Sequence, residues 1–252
     1  MKKFLLAIAS VTVLVISWIP SALAADPAVK GAPIDFRACN FRDGKTMADL
    51  EPVLVKFREY ANKNDFDYAA WVLTPQFHSG IDYDIGWLGA WPDGVAFGVS
   101  MEKWNSPTNP LVAEFNAVID CSLSHGLAES RPINAQEGRP KNGIAMFYQC
   151  SLADGKSLQD AYRAHLEAGQ VMKSLGSLAE SWFYIPAIGG GKIDFDYYHV
   201  VAFSRYSDMG ATMEMYTNAG GQAAQREILD KVSSCGQPIA FDALSVRDHD
   251  ER

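Results

Sequence analysis

The sequence lacks several features that would identify a common class of protein. It has no run of basic residues and a formal net charge of −8, so nucleic acid and anionic lipid surfaces are poor candidates as partners. Beyond its N-terminus, no hydrophobic stretch approaches the ~20 residues of a membrane span. G-x-S-x-G, H-E-x-x-H and dinucleotide-binding motifs are also absent, so no motif identifies a reaction.

The N-terminus has the pattern of a secretory signal peptide. Lys2 and Lys3 precede an apolar run over residues 4–19, and an Ala-x-Ala sequence ends at Ala24. This order of positive, apolar and small residues predicts a signal peptide over residues 1–24. We therefore expect a periplasmic or secreted protein with no membrane segment after cleavage.

Two long segments of the chain share a pattern. Shifting the sequence by 111 residues places Cys39 on Cys150 and Trp71 on Trp182, and the block C-x-x-x-D-G-K-[ST] occurs in both segments. Such self-similarity indicates an internal repeat. We assign an N-terminal extension to residues 25–34, repeats to 35–130 and 144–252, and a Pro- and Gly-rich linker to 131–143.

The elements of both repeats follow one order. Each repeat reads as strand, helix, strand, strand, helix, strand from its apolar periodicity. At the start of each first helix, Thr46 or Ser157 is followed three residues later by Asp49 or Asp160. This spacing predicts a capping box at both positions.

The chain contains four cysteines, which allow three pairings. No C-x-x-C pair is present, and export favours disulfides over a metal-thiolate site. In a unit of this element order, the first and last strands lie side by side and antiparallel. The order therefore predicts two disulfides, Cys39 with Cys121 and Cys150 with Cys235.

The middle strands are apolar on both faces, which predicts helices on one side of each sheet and a second sheet on the other. With the duplication and the repeated block, this pattern resembles the dimeric α+β barrel superfamily, which includes monooxygenase-like and chlorite dismutase-like haem proteins. The resemblance is one of architecture. It implies an α+β fold in which two tandem ferredoxin-like βαββαβ units pack their antiparallel sheets face to face as a pseudo-dimeric barrel.

Aromatic residues on the central strands are the candidate ligand contacts. Trp71 and Trp182 occupy equivalent places, where core packing explains them as well as ligand contact does. Other rings are candidates for lining a cavity between sheet and helices, where related folds hold small apolar molecules or haem. These are Tyr83, Trp87, Tyr184, Tyr197 and Tyr198.

His199 is the first choice among the histidines for a haem ligand or general base. A buried structural histidine is the alternative, and the repeat alignment matches His199 with Asp84. We predict no metal site and no cofactor, with haem as the one cofactor that the resemblance allows.

Two functions from different classes remain. The first is an exported protein, monomeric or homodimeric, that binds a small hydrophobic molecule. The alternative is an oxidoreductase of the same architecture, either cofactor-independent and monooxygenase-like or haem-dependent. No catalytic residues are assigned.

Overall fold

The computed structural model describes residues 30–135 and 142–248. The predicted signal peptide lies outside the described residues, as do part of the N-terminal extension and residues 136–141 of the linker. No helix in the described ranges is long and apolar enough to cross a membrane.

The described residues form two halves with the same order of main elements. The first half contains β1 (Ala32–Phe41), α1 (Met47–Lys63), β2 (Ala69–Phe77), β3 (Ile85–Ala90), α2 (Gly94–Trp104), α3 (Leu111–Asn116) and β4 (Ile119–Pro132). The second half contains β5 (Gly143–Leu152), α4 (Leu158–Ser174), β6 (Glu180–Ile188), β7 (Tyr197–Phe203), α5 (Tyr206–Asn218), α6 (Gly221–Leu229), β8 (Ser233–Cys235) and β9 (Ile239–Arg247).

Eight of the strands close into one antiparallel barrel. The strand order is β7-β6-β4-β1-β3-β2-β9-β5, and β7 pairs with β5 to complete the circle. The halves meet at two seams, where β2 pairs with β9 and β4 pairs with β6. The α+β class and the barrel are confirmed, and the sheets predicted to pack face to face are also hydrogen-bonded to each other at both edges.

Side chains alternate between the inside of the barrel and the helices outside it. An interior cluster draws residues from all eight barrel strands, including Ile34, Leu73, Leu88, Val200 and Phe241. Two outer clusters pack the sheet against helices, one in each half. Both faces of the sheet are therefore buried, which explains why the central strands are apolar throughout.

Both predicted capping boxes are present. In α4 the Asp160 N–H donates to Ser157 Oγ at 3.2 Å, and the Ser157 N–H donates to the Asp160 carboxylate at 3.0 Å. In α1 the Thr46 N–H donates to the Asp49 carboxylate at 3.0 Å. The repeated Asp-Gly-Lys block is thus a turn that leads from strand to helix in each half.

The two disulfides have the predicted pairing. Cys39 on β1 bonds Cys121 on β4, and Cys150 on β5 bonds Cys235 on β8. Cys39 and Cys150 are fully buried. The disulfides close chain segments of similar length, 82 and 85 residues, and they are consistent with an oxidising compartment.

Candidate functional site

A cavity of about 380 Å³ lies inside one end of the barrel. Most of its wall is apolar, and it includes Trp71, Trp182 and Tyr184. Polar groups lie on strand ends and loops at its rim, among them Ser130 and Asn142. A volume of this size suits a small organic molecule.

Small side chains on five strands make room for the cavity. Ala32, Ala90, Ala145, Ala202 and Ala243 line it, from β1, β3, β5, β7 and β9. Alanine is depleted in strands because it offers little surface for packing. Where larger side chains would fill a barrel of this size, these positions leave space.

Aromatic rings fill the remainder of the barrel beside the cavity. Phe147 contacts Phe36, Tyr184, Tyr198 and Phe241 with ring centroids 5.7–6.5 Å apart, most of them edge to face. Such geometry is favourable for aromatic pairs. These packed rings therefore form a wall beside the cavity.

The structure divides the predicted ligand contacts into three groups. Trp71, Trp182 and Tyr184 line the barrel cavity. Tyr83 and Tyr198 also belong to the interior cluster, among the rings beside the cavity. Trp87, Tyr197 and His199 instead lie on the outer face of the barrel, toward the helices. The expected cavity between sheet and helices thus fails to bring these residues together, because alternate strand positions face opposite sides.

The interior tyrosines keep their protons at neutral pH. Burial, with a smaller contribution from Tyr198, raises the pKa of Tyr83 to about 12. Burial also raises the pKa of Tyr198. The barrel interior therefore presents neutral hydroxyl groups in an apolar surrounding, which is unsuited to a charged ligand.

His199 belongs to a packed group of rings outside the barrel. Its ring centroid lies 4.4 Å from that of His165 on α4 and 5.7 Å from that of Tyr148. Burial lowers the pKa of His199 to about 4, and burial followed by the nearby His199 lowers the pKa of His165 well below its ordinary value. Both histidines are therefore neutral at pH 7.

The strand register also corrects the match between the halves. Tyr148 pairs with His199 in the second half, whereas Arg37 pairs with Trp87 at the same position of the first half. The structural counterpart of His199 is therefore Trp87, and the sequence match with Asp84 was wrong. The offset between equivalent residues is 111 at Tyr148 and Arg37 and 112 at His199 and Trp87, so the second half has one additional residue before its third strand.

A haem ligand needs a nitrogen lone pair that faces an open slot. Tyr197 donates its hydroxyl proton to Ser233 Oγ at 2.7 Å, so His165 Nε2, 3.0 Å from the Tyr197 oxygen, acts as a donor. Neither His165 nor His199 lines the barrel cavity or the cavity between the sheet and helices α1 to α3. The residues around these histidines therefore do not fit haem. Among the described residues, no group of three His, Cys, Asp or Glu side chains is arranged to hold a metal ion.

Comparison with known proteins shows similarity in structure alone. No protein-family model and no curated protein matches the sequence. A protein described as a candidate chlorite dismutase has 11% identity and a TM-score of 0.52, over 86% of this chain and 96% of its own. A variant of the chlorite dismutase from Candidatus Nitrospira defluvii has 8% identity and a TM-score of 0.51, over 86% of this chain and 92% of its own.

A third solved structure is less similar in its backbone. It is a haem-binding protein from Thermus thermophilus, with 12% identity and a TM-score of 0.48 over 86% of this chain and 92% of its own. At such identities a likeness concerns the fold. The closed eight-stranded barrel and the two chlorite dismutase-like structures together show that the chain has the architecture of the dimeric α+β barrel superfamily.

Proposed function

We propose that the protein is exported and binds a small hydrophobic molecule inside its barrel. The observation that carries this proposal is the cavity of about 380 Å³ among apolar strand residues. Packed protein interiors contain few voids larger than a water molecule. A space of this size in a barrel whose other part is filled by rings supports a ligand-binding role.

The walls indicate the form of the ligand. Trp71 and Trp182 stand on β2 and β6, and each offers a large apolar surface to the cavity. Lys30, Ser130 and Asn142 are at the rim. A molecule with an apolar body and one polar end would therefore place its polar end at the rim, where these groups and water can solvate it.

The wider organisation belongs to the same proposal. A signal peptide over residues 1–24 directs export to the periplasm or beyond the cell, where the two disulfides form. Residues 35–130 and 144–252 are two ferredoxin-like repeats that close the barrel within one chain. A monomer is then sufficient for binding, and a homodimer is not needed to complete the sheet.

The oxidoreductase alternative has less support. Among the described residues, no histidine lines the barrel cavity, and Lys30 at the rim is the one charged side chain in its lining. Acid–base or haem chemistry needs such groups within reach of the substrate. We therefore favour binding over a reaction.

The test uses the fluorescent apolar probe N-phenyl-1-naphthylamine. We expect the wild-type protein to bind it, and Ala202→Leu to weaken binding at least about tenfold because the added carbons occupy the cavity. Ala211→Leu, the same change at an exposed position of α5, is the matched control and should bind as wild type does. Equal binding by all three proteins, or no binding by any, would overturn the proposal.

A further inference from the structure

A second cavity, of about 300 Å³, lies outside the barrel in the first half. It lies between the outer face of the sheet and the three helices α1 to α3 and is partly open to solvent. Rings form most of its walls, contributed by Phe57, Trp87, Trp104 and Phe115. Its position and walls differ from those of the barrel cavity, although Trp91 borders both.

A buried carboxylate belongs to the lining of this second cavity. Asp35 on β1 is only 2% exposed. Its Oδ2 atom accepts from Arg37 Nε at 3.2 Å and lies 3.0 Å from His125 Nε2. Its Oδ1 atom is buried and has no hydrogen-bond partner among the described residues. A buried acceptor without a partner is destabilising, and more so when it is charged.

The neighbouring strand makes room for the carboxylate. Gly89 on β3 pairs directly with Asp35, and a Cβ atom on Gly89 would collide with Asp35 Oδ1 and with Tyr68 Oη. Tyr68 Oη itself accepts from Trp87 Nε1 at 2.6 Å. The carboxylate and the Tyr68 hydroxyl therefore occupy the space that a side chain at position 89 would take.

A second polar atom in the lining is also without a partner. Trp91 Nε1 is a buried donor that has no acceptor among the described residues. Native interiors contain few such groups, and each calls for an explanation. Asp35 lines this cavity and Trp91 borders both cavities, so an occupant with polar atoms would satisfy the Asp35 acceptor here.

Aromatic walls and a lone acceptor together define the class of ligand. Flat rings pack well against the tryptophan and phenylalanine side chains, and Asp35 Oδ1 needs an N–H or O–H donor. Because Arg37 already balances the charge of Asp35, the ligand need not be a cation. We propose that the second cavity binds a small aromatic molecule whose N–H or O–H group donates a hydrogen bond to Asp35.

The alternative occupant is water, which also satisfies buried polar groups. Indole and benzofuran distinguish the two, since they have nearly the same shape and only indole has a donor. Binding is followed through the indole N–H signals of the ¹⁵N-labelled protein, assigned by single Trp→Phe variants. Trp87 and Trp104 report on the second cavity, and Trp71 and Trp182 report on the barrel.

We expect indole to shift the Trp87 and Trp104 signals to saturation, and benzofuran to bind at least about tenfold more weakly because Oδ1 then stays unpaired. Equal binding of both compounds would overturn the proposal. Shifts confined to Trp71 and Trp182, or no shift with indole at millimolar concentration, would do so as well, the last indicating a cavity held by water.

Asp35→Asn sharpens the test. Its amide oxygen can keep the contacts with Arg37 and His125, which places an N–H donor toward the cavity. The variant should therefore lose its preference for indole over benzofuran, whereas Asp120→Asn, a change at a half-exposed carboxylate, should keep it. If Asp35→Asn fails to fold, the two ligands on wild-type protein still decide the question, and a retained indole preference in a folded variant would contradict the role of Asp35.

Discussion

The two halves have the same strand order, but very different residues lie on the outer face of the sheet in each half. The first half places Asp35 and Arg37 beside an aromatic cavity, whereas the register places Met146 and Tyr148 at the same points of the second half. In the second half, Phe183 stacks on Tyr197 with ring centroids 4.2 Å apart. They stand at the positions of Val72 and Ile85 in the first half, and both rings pack against His165 on α4.

We call the features that both halves share the frame of the fold, and the residues between the sheet and the helices its filling. Strand order, disulfides and helix caps recur in both halves, while the residues between sheet and helices do not. Each half therefore has to be examined for sites by its own residues. If this view is correct, changes to the frame should have matching effects in the two halves, and changes to the filling should not.

Removal of a disulfide should have the largest effect and should be nearly equal in the two halves. The closed segments span 82 and 85 residues, so the chain-entropy model gives each bond the same contribution, roughly 3–5 kcal/mol. We expect Cys39→Ala/Cys121→Ala and Cys150→Ala/Cys235→Ala to lower the free energy of unfolding in urea by matching amounts. A difference above about 2 kcal/mol would show that the halves are not equivalent as frames.

We expect the pH dependence of the free energy of unfolding to come from histidines in the second half. Burial holds the pKa values of His165 and His199 below the value of about 6.5 expected in the unfolded chain. As pH falls below 6.5, the unfolded chain therefore binds protons that the folded protein does not, and stability is lost. The contribution of the two neutral histidines to the free energy of unfolding is therefore fully present above pH 6.5 and decreases as the pH falls below that value.

We expect His199→Phe to reduce the loss of unfolding free energy between pH 7 and pH 5, by on the order of 2 kcal/mol. Denaturant titrations at the two pH values measure it. Above pH 5 most carboxylates stay ionised, which isolates the histidine contribution. His78→Phe, at an exposed position, is the matched control, and an equal effect of the two substitutions would contradict the assignment to the second half.

The helix caps should give the smallest effects, again matched. Thr46→Ala and Ser157→Ala each remove a side chain at the first turn of α1 or α4, with an expected loss of about 0.5–2 kcal/mol. Thermal unfolding of the two variants measures it. An unchanged midpoint for one variant alone would show that the helix in that half does not depend on its cap.

Local patterns predicted much of this fold. The element order, both capping boxes and the cysteine pairs follow from short-range spacing and from the adjacency of first and last strands. Helix α2 was missed because its sequence contains Gly94 and Gly98 and has no distinct polar face, and α5 because its first residue, Tyr206, extends an aromatic strand pattern. Both errors concern elements whose helical state depends on tertiary packing.

The sites were less predictable than the fold. A strand buried on both faces does not reveal which face lines a cavity, so Trp87 and His199 were grouped with Trp182 although they point the other way. The alanines of the barrel wall were an available signal, since alanine is a poor strand residue. Asp35 was missed because one carboxylate in a strand has no pattern, and only the strand pairing shows that Gly89 lies opposite it and makes room for it.

The two seams of the barrel join strands that are made at different times during synthesis. β2 and β4 complete their hydrogen bonding only when β9 and β6 have formed, and β9 is the last strand among the described residues. A nascent first half therefore carries two open edges, which are templates for aggregation, and the β2 edge stays open until β9 has been made. Since closure joins distant parts of the chain, we expect folding to be slow, and a factor that shields β2 and β4 in the meantime would raise the yield of native protein.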